Sequence, residues 1–132
     1  MTDPRDITGV WYGRYRSNSG DQDNSFIALL EEGGGVFDGT ISEPDDTRGT
    51  GGIRQASVAG RRDGASLDFI KQYHGSAGMT HSVHYSGGID DQGTVISGVW
   101  VVSWLRGTFT MQREKFDEDE LEDAESISLE TH

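Results

Sequence analysis

The sequence predicts an all-β fold: an eight-stranded antiparallel up-and-down (meander) barrel followed by an acidic C-terminal tail. Three observations predict it. Apolar residues recur at period two in short runs, with turn residues between the runs. The chain has 19 glycines, only two prolines and no long helical pattern. The series opens with Gly9-Val10-Trp11 and closes with Gly107-Thr108-Phe109-Thr110-Met111-Gln112-Arg113. In a closed barrel the last strand neighbours the first. A Trp early on the first strand then fills the floor, and a long cation late on the last covers it. Closure has an energetic reason: a flat meander would leave two unpaired edges and one apolar face in water.

The first strand covers about Gly9–Arg16 and ends in the polar turn Ser17–Asn24. The second, Ser25–Glu31, ends at Gly33-Gly34-Gly35. The third, Val36–Ser42, leads into a loop over Glu43–Gly52, with Pro44, Asp45 and Asp46 as turn formers. The fourth, Ile53–Arg61, turns at Arg62-Asp63-Gly64, where Asp-Gly is a strong hairpin signal. The fifth, Ala65–Tyr73, is followed by the small-residue loop His74-Gly75-Ser76-Ala77-Gly78. The sixth, Met79–Gly87, turns at Ile89–Gly93; the seventh is Thr94–Ser103 and the eighth Arg106–Arg113.

Alternation assigns the faces. Trp11, Gly13 and Tyr15 point inward, and Val10, Tyr12 and Arg14 outward. Leu67, Phe69, Lys71 and Tyr73 share a face, as do Met79, His81, Val83, Tyr85 and Gly87. Phe109, Met111 and Arg113 point inward and Thr108 and Thr110 outward. On the seventh strand both faces are apolar: Ile96, Gly98 and Trp100 on one, Val95, Val99 and Val101 on the other. An outward valine stripe predicts a cover, either a second copy of the chain or the tail.

The net charge is −12 over 132 residues, unevenly spread. Residues 114–132 hold nine Asp/Glu and one Lys, whereas residues 1–113 hold fourteen Asp/Glu and ten Lys/Arg. The domains are therefore a barrel over 1–113 and an acidic tail over 114–132. In the tail, Phe116, Leu121, Ala124 and Ile127 form a loose helical stripe that self-repelling acids oppose, giving a disordered or weakly helical segment. No basic surface of the kind that binds nucleic acid is visible. No apolar run approaches the roughly 18 residues of a membrane span, and the first residues contain no secretory apolar segment. Cysteine is absent, which removes disulfides and thiolate metal sites and suits a cytoplasmic location.

Tyr15, Phe69, Lys71, Tyr85 and Trp100 are the candidate ligand-binding residues. Such a lining suits a flat apolar or aromatic ligand. The same aromatic residues, with Tyr73 and Phe109, could instead meet and fill the barrel. The inward glycines Gly13, Gly87 and Gly98 favour space, since each removes a side chain. Lys71 has two readings: it meets an anionic head group such as a carboxylate, or it sits at the barrel mouth and reaches water. His81 and His84, three apart on a strand, point to opposite faces and cannot chelate one ion, and His74 adds no metal motif. No serine sits in a nucleophile elbow, no glycine-rich loop leads into a helix, and Asp45-Asp46 and Asp90-Asp91 read as solvated turns. Neither catalysis nor a cofactor or metal is expected.

Gly9-Val10-Trp11 and the late Arg113 resemble the floor-and-lid pair of the calycin superfamily, which includes lipocalins, fatty-acid-binding proteins and avidins. The spacing looks most like the avidins. Gly9–Tyr12, Gly39-Thr40-Ile41-Ser42, Val95–Val101 with its central Trp100, and Gly107–Arg113 resemble avidin strands and turns, over about residues 9–113. The resemblance implies a ligand inside the barrel. Where avidins hold the biotin ureido group with polar side chains, this chain carries Gly13 for an amide, Ile41 for a phenol and Gly107 for a carboxylate. Each lost hydrogen bond costs about 1–3 kcal/mol, so high-affinity biotin binding is not expected.

The function predicted from sequence is a non-enzymatic barrel binding a small apolar or aromatic ligand in its interior. The alternative is a protein-interaction module: a filled barrel using the outer valine stripe and the acidic tail. A homo-oligomer is expected in either case, with no nucleic-acid or membrane partner. Cavity volume separates the two, because ligand pockets span about 300–1,000 Å³.

Overall fold

Alternation of buried and exposed residues gives the sheet one inner face, and the sheet closes on itself. The computed structural model describes residues 3–20, 23–45, 52–74 and 82–113. The predicted tail, the loop residues 46–51 and 75–81 (with Met79 and His81), and residues 21–22 lie outside the described residues.

The strands are β1 (Gly9–Ser17), β2 (Asp23–Gly33), β3 (Val36–Asp45), β4 (Gly52–Asp63), β5 (Ser66–Tyr73), β6 (Ser82–Ile89), β7 (Val95–Val102) and β8 (Leu105–Gln112). Each pairs antiparallel with the next. β1 pairs with β8, Tyr12 opposite Gln112 and Ser17 opposite Gly107, which closes the barrel. No described residue is helical. The predicted inward and outward sets match burial strand by strand among the described residues.

The hairpin turns follow their glycines. Gly34 and Gly35 connect β2 to β3 with φ of 62° and 85°, the left-handed pair a type I′ turn requires. Gly64, with φ 61°, leads the two-residue link from Asp63 to Ser66.

One segment departs from expectation. The predicted loop from Glu43 is instead the continuation of β3, with Glu43 opposite Arg54, Pro44 opposite Ile53 and Asp45 opposite Gly52. The ladder to β2 ends at Ser42, so β3 is there paired with β4 alone. Proline is tolerated at such an edge. Continuing the strand also continues its alternation, and Glu43 joins Phe37 and Ile41 on the inner face.

Among the described residues, packed rings fill the middle of the barrel. The Phe69 and Tyr85 rings stack at 4.7 Å, and the Phe109 ring stands edge-on to both, at 5.9 and 5.1 Å. The inward glycines do not open space there, contrary to the expectation from sequence. A Cβ on Gly13 would lie 2.2 Å from the Phe26 ring, and one on Gly98 would lie 2.0 Å from the Ser86 carbonyl oxygen. Neighbouring rings and close strand crossings occupy what the missing side chains vacate.

The N-terminal segment seals the floor end. Trp11 Nε1 donates to the Ile7 carbonyl at 2.9 Å. The Arg113 guanidinium lies 4.5 Å from the Trp11 ring and donates to the carbonyls of Asp6, Thr8 and Gly93. Arg62 clamps the Glu32 carboxylate through two 2.8 Å bonds and reaches Asp3 at 2.6 Å. The Trp–Arg pair is thus a structural plug.

Candidate functional site

At the opposite end the described residues form a pocket. β1 brings Tyr15 there, β5 brings Lys71 and Tyr73, β6 brings Val83 and Tyr85, and β7 brings Trp100. With Arg54 of β4, Val102, and Trp104 and Leu105 at the β7–β8 hairpin, they line a pocket of about 180 Å³. Trp104, 67% exposed, marks the solvent side. The volume is below the range for drug-sized ligands and near the ~150 Å³ of engineered cavities that admit benzene.

Of the residues predicted from sequence, Tyr15, Lys71, Tyr85 and Trp100 meet at this pocket. Phe69 does not line it. It lies two residues nearer the floor than Lys71, packed between Tyr85, Phe37 and Phe109.

Lys71 does not reach water, so the mouth-and-solvent reading is corrected. It is 1% exposed. Its Nζ lies 4.6 Å from the Tyr15 ring, 4.6 Å from Tyr73 and 5.4 Å from Tyr85. The partner that makes this burial tolerable is Glu43, whose Oε1 is 3.7 Å from Nζ. Arg54 Nε donates to the same oxygen at 3.2 Å, and its guanidinium lies 4.7 Å from the Tyr73 ring. Glu43 is fully buried. The Tyr15 and Tyr73 hydroxyls are near enough to feel its charge, yet Oε2 accepts no well-aligned hydrogen bond from the described residues.

Burial dominates the electrostatics of the site. It lowers the Lys71 ammonium to about 8 against the favourable pull of Glu43, with Arg54 pushing in the same direction as burial. Burial, aided by the Glu43 charge, raises the phenols of Tyr15, Tyr73 and Tyr85. The tyrosines therefore stay neutral near pH 7, and Lys71 is mostly charged. Lys71 and Arg54 share the Glu43 carboxylate there.

Two positioning contacts complete the mouth. Asn24 Nδ2 donates to the Tyr15 hydroxyl at 2.7 Å. Trp100 Nε1 donates to the Thr108 carbonyl at 3.1 Å, and its ring meets Tyr15 edge-on at 5.8 Å. Gly107 makes room for that ring, since a Cβ there would lie 2.7 Å from it. Sequence reasoning missed Glu43 and Arg54. The alternation of Phe37 and Ile41 was the available signal for Glu43, had the strand been extended through Pro44. No group of three metal-ligating side chains occurs among the described residues.

No family model and no curated protein matches the chain. Among solved structures it is similar to a redesigned β-barrel, b11L5F_LGL, with a TM-score of 0.71 and 14% identity, over 86% of this chain and 96% of that one. It is also similar to the redesigned β-barrel mFAP1 bound to DFHBI, with a TM-score of 0.67 and 13% identity, over 86% of this chain and 100% of that one. At these identities the likeness is one of fold.

Proposed function

We propose that the protein is a non-enzymatic binder whose mouth pocket takes a small, single-ring aromatic anion. The observation that carries this reading is the convergence of Lys71, Arg54 and Glu43 with the Tyr15, Tyr73, Tyr85 and Trp100 rings around about 180 Å³. The rings supply apolar walls, the Lys71 and Arg54 cations favour a carboxylate or phenolate, and the volume limits the ligand to about one ring. A structural neighbour of the same fold is bound to DFHBI, which supports the use of such a barrel as a binding vessel. The calycin-like, avidin-like relationship remains part of the proposal, with biotin excluded as a tight ligand. The Phe26 ring against Gly13 and the Trp100 ring against Gly107 support that exclusion, because they put apolar surface where polar partners would be needed. Cytoplasmic residence belongs to the same reading.

Benzoate is the probe. Trp100 and Trp104 line the pocket, so saturable quenching of tryptophan fluorescence reports occupancy. Arg54→Met should weaken benzoate roughly tenfold, as loss of one charge-assisted contact predicts. Absence of saturable quenching at millimolar benzoate refutes the reading.

A second reading has its own observation. Val95, Val99 and Val101 do face outward, Val99 at 55% exposure. We propose that this stripe pairs with a second copy of the chain.

A further inference from the structure

Lys71 acts on an anion as a charge, but its amine is also a nucleophile. The chain has two lysines, Lys71 and Lys115, and Lys71 is built into the barrel interior. A buried primary amine on a pocket wall attacks aldehydes selectively, provided that it has a neutral fraction and a neighbour able to carry protons. Nζ faces the pocket among the Tyr15, Tyr73 and Tyr85 rings, with the Glu43 carboxylate 3.7 Å away. Glu43 Oε2, fully buried and accepting no well-aligned hydrogen bond from the described residues, is placed to accept a proton.

We propose that Lys71 captures a single-ring aromatic aldehyde covalently, as an imine, with Glu43 as proton carrier and counter-ion. This rests on the reading of the mouth as an aromatic-ligand site and adds the class of ligand that becomes bonded there. The neutral amine's lone pair attacks the carbonyl carbon. A C–N bond forms, and the carbonyl π pair moves to oxygen. One N–H proton passes through Glu43 to that oxygen, giving a neutral carbinolamine. The nitrogen lone pair then forms C=N as the C–O bond breaks, and the oxygen leaves as water with the second nitrogen proton. Amine and aldehyde thus give imine and water. Uptake of a solvent proton leaves an iminium cation beside the Glu43 carboxylate. The amine is ready for this step because it lines the pocket beside Glu43, and because burial lowers its ammonium to about 8, which leaves a neutral fraction near pH 7.

The test treats the full chain with 4-formylbenzoate and sodium cyanoborohydride, which reduces the imine to a stable secondary amine. Intact mass and peptide mapping locate the adduct, and benzoate binding is followed in parallel by tryptophan fluorescence. The N-terminal amine, ordinarily near 8 as well, is a competing site; the expected result at lysine is a single adduct, at Lys71, formed about tenfold or more faster than at a lysine of ordinary value. Its mass gain is that of the aldehyde less one oxygen atom. Lys71→Arg keeps a charge for benzoate but loses the adduct at position 71. If that variant does not fold, the wild-type map decides alone. Modification confined to Lys115 and the N-terminal amine overturns the proposal. If benzoate binds in that case, the pocket reading survives; if it does not, both fall. An adduct at Lys71 without benzoate binding supports imine capture and removes the preference for anions.

Discussion

Raising the pH should stabilise this barrel, and Lys71 should be the reason. The ammonium titrates near 8 in the folded state against an ordinary value of 10.5. Between those values the unfolded chain binds the proton that the native chain has released, so unfolding free energy rises with pH. Below both values the side chain is charged in either state, and the full cost of burying it is present. The gain from about pH 7 to about pH 9.5 is roughly 2 kcal/mol. The described groups facing Nζ are Glu43, Arg54, Tyr15, Tyr73 and Tyr85. The three phenols act in the opposite direction, because their raised folded values withdraw stability above about pH 10. The profile should therefore rise and then turn over. Urea unfolding followed by tryptophan fluorescence at several pH values measures it. Lys71→Met removes the titrating group and leaves the phenols, so the rise should vanish in the variant. Parallel profiles for the two proteins would refute the claim that a buried, desolvated lysine governs this range.

Other perturbations read other parts of the fold. Gly107→Ala places a methyl 1.9 Å from the Arg16 carbonyl oxygen and against the Trp100 ring. It should lower stability by about 3 kcal/mol or more, measured by urea unfolding. Arg62→Met leaves the Glu32 carboxylate, 4% exposed, without its two-pronged partner, and should cost about 3–5 kcal/mol in the same assay. Light scattering at micromolar concentration should give a dimer or larger species that Val99→Lys converts to monomer. A clean monomer for the unaltered chain would remove the pairing proposal.

Most of the barrel was legible because a single rule, alternation, governs each strand. Trp11, Tyr15, Phe109 and Trp100 point inward by parity alone, and closure follows from the need to pair the edges of the first and last strands. The direction of Lys71 was legible for the same reason. Its depth was not, because depth depends on a partner. Glu43 sits on β3 and Lys71 on β5, with β4 between them, and no local pattern links strands that share no ladder. Pro44 and its acidic neighbours carry turn chemistry, which outweighed the continuing alternation of Ile41 and Glu43. The pocket was similarly hidden. Glycines look like vacancies in a sequence, but whether a ring or a crossing strand fills the gap is decided by register, as Phe26 over Gly13 illustrates.

Closure also has a consequence in time. The final seam joins β1 to β8, and Arg113 reaches back 107 positions to the Asp6 carbonyl. On the ribosome, β1 is made first and completes its pairing last. Every intermediate length of nascent chain therefore presents β1 as an open edge, with Val10 and Tyr12 on its outer side and the uncapped Trp11 on its inner side. Such sequence-distant docking is intrinsically slow. The vulnerable period of this protein's life is the interval between the emergence of Gly9 and that of Arg113, when a stray strand from another chain can take the place reserved for β8.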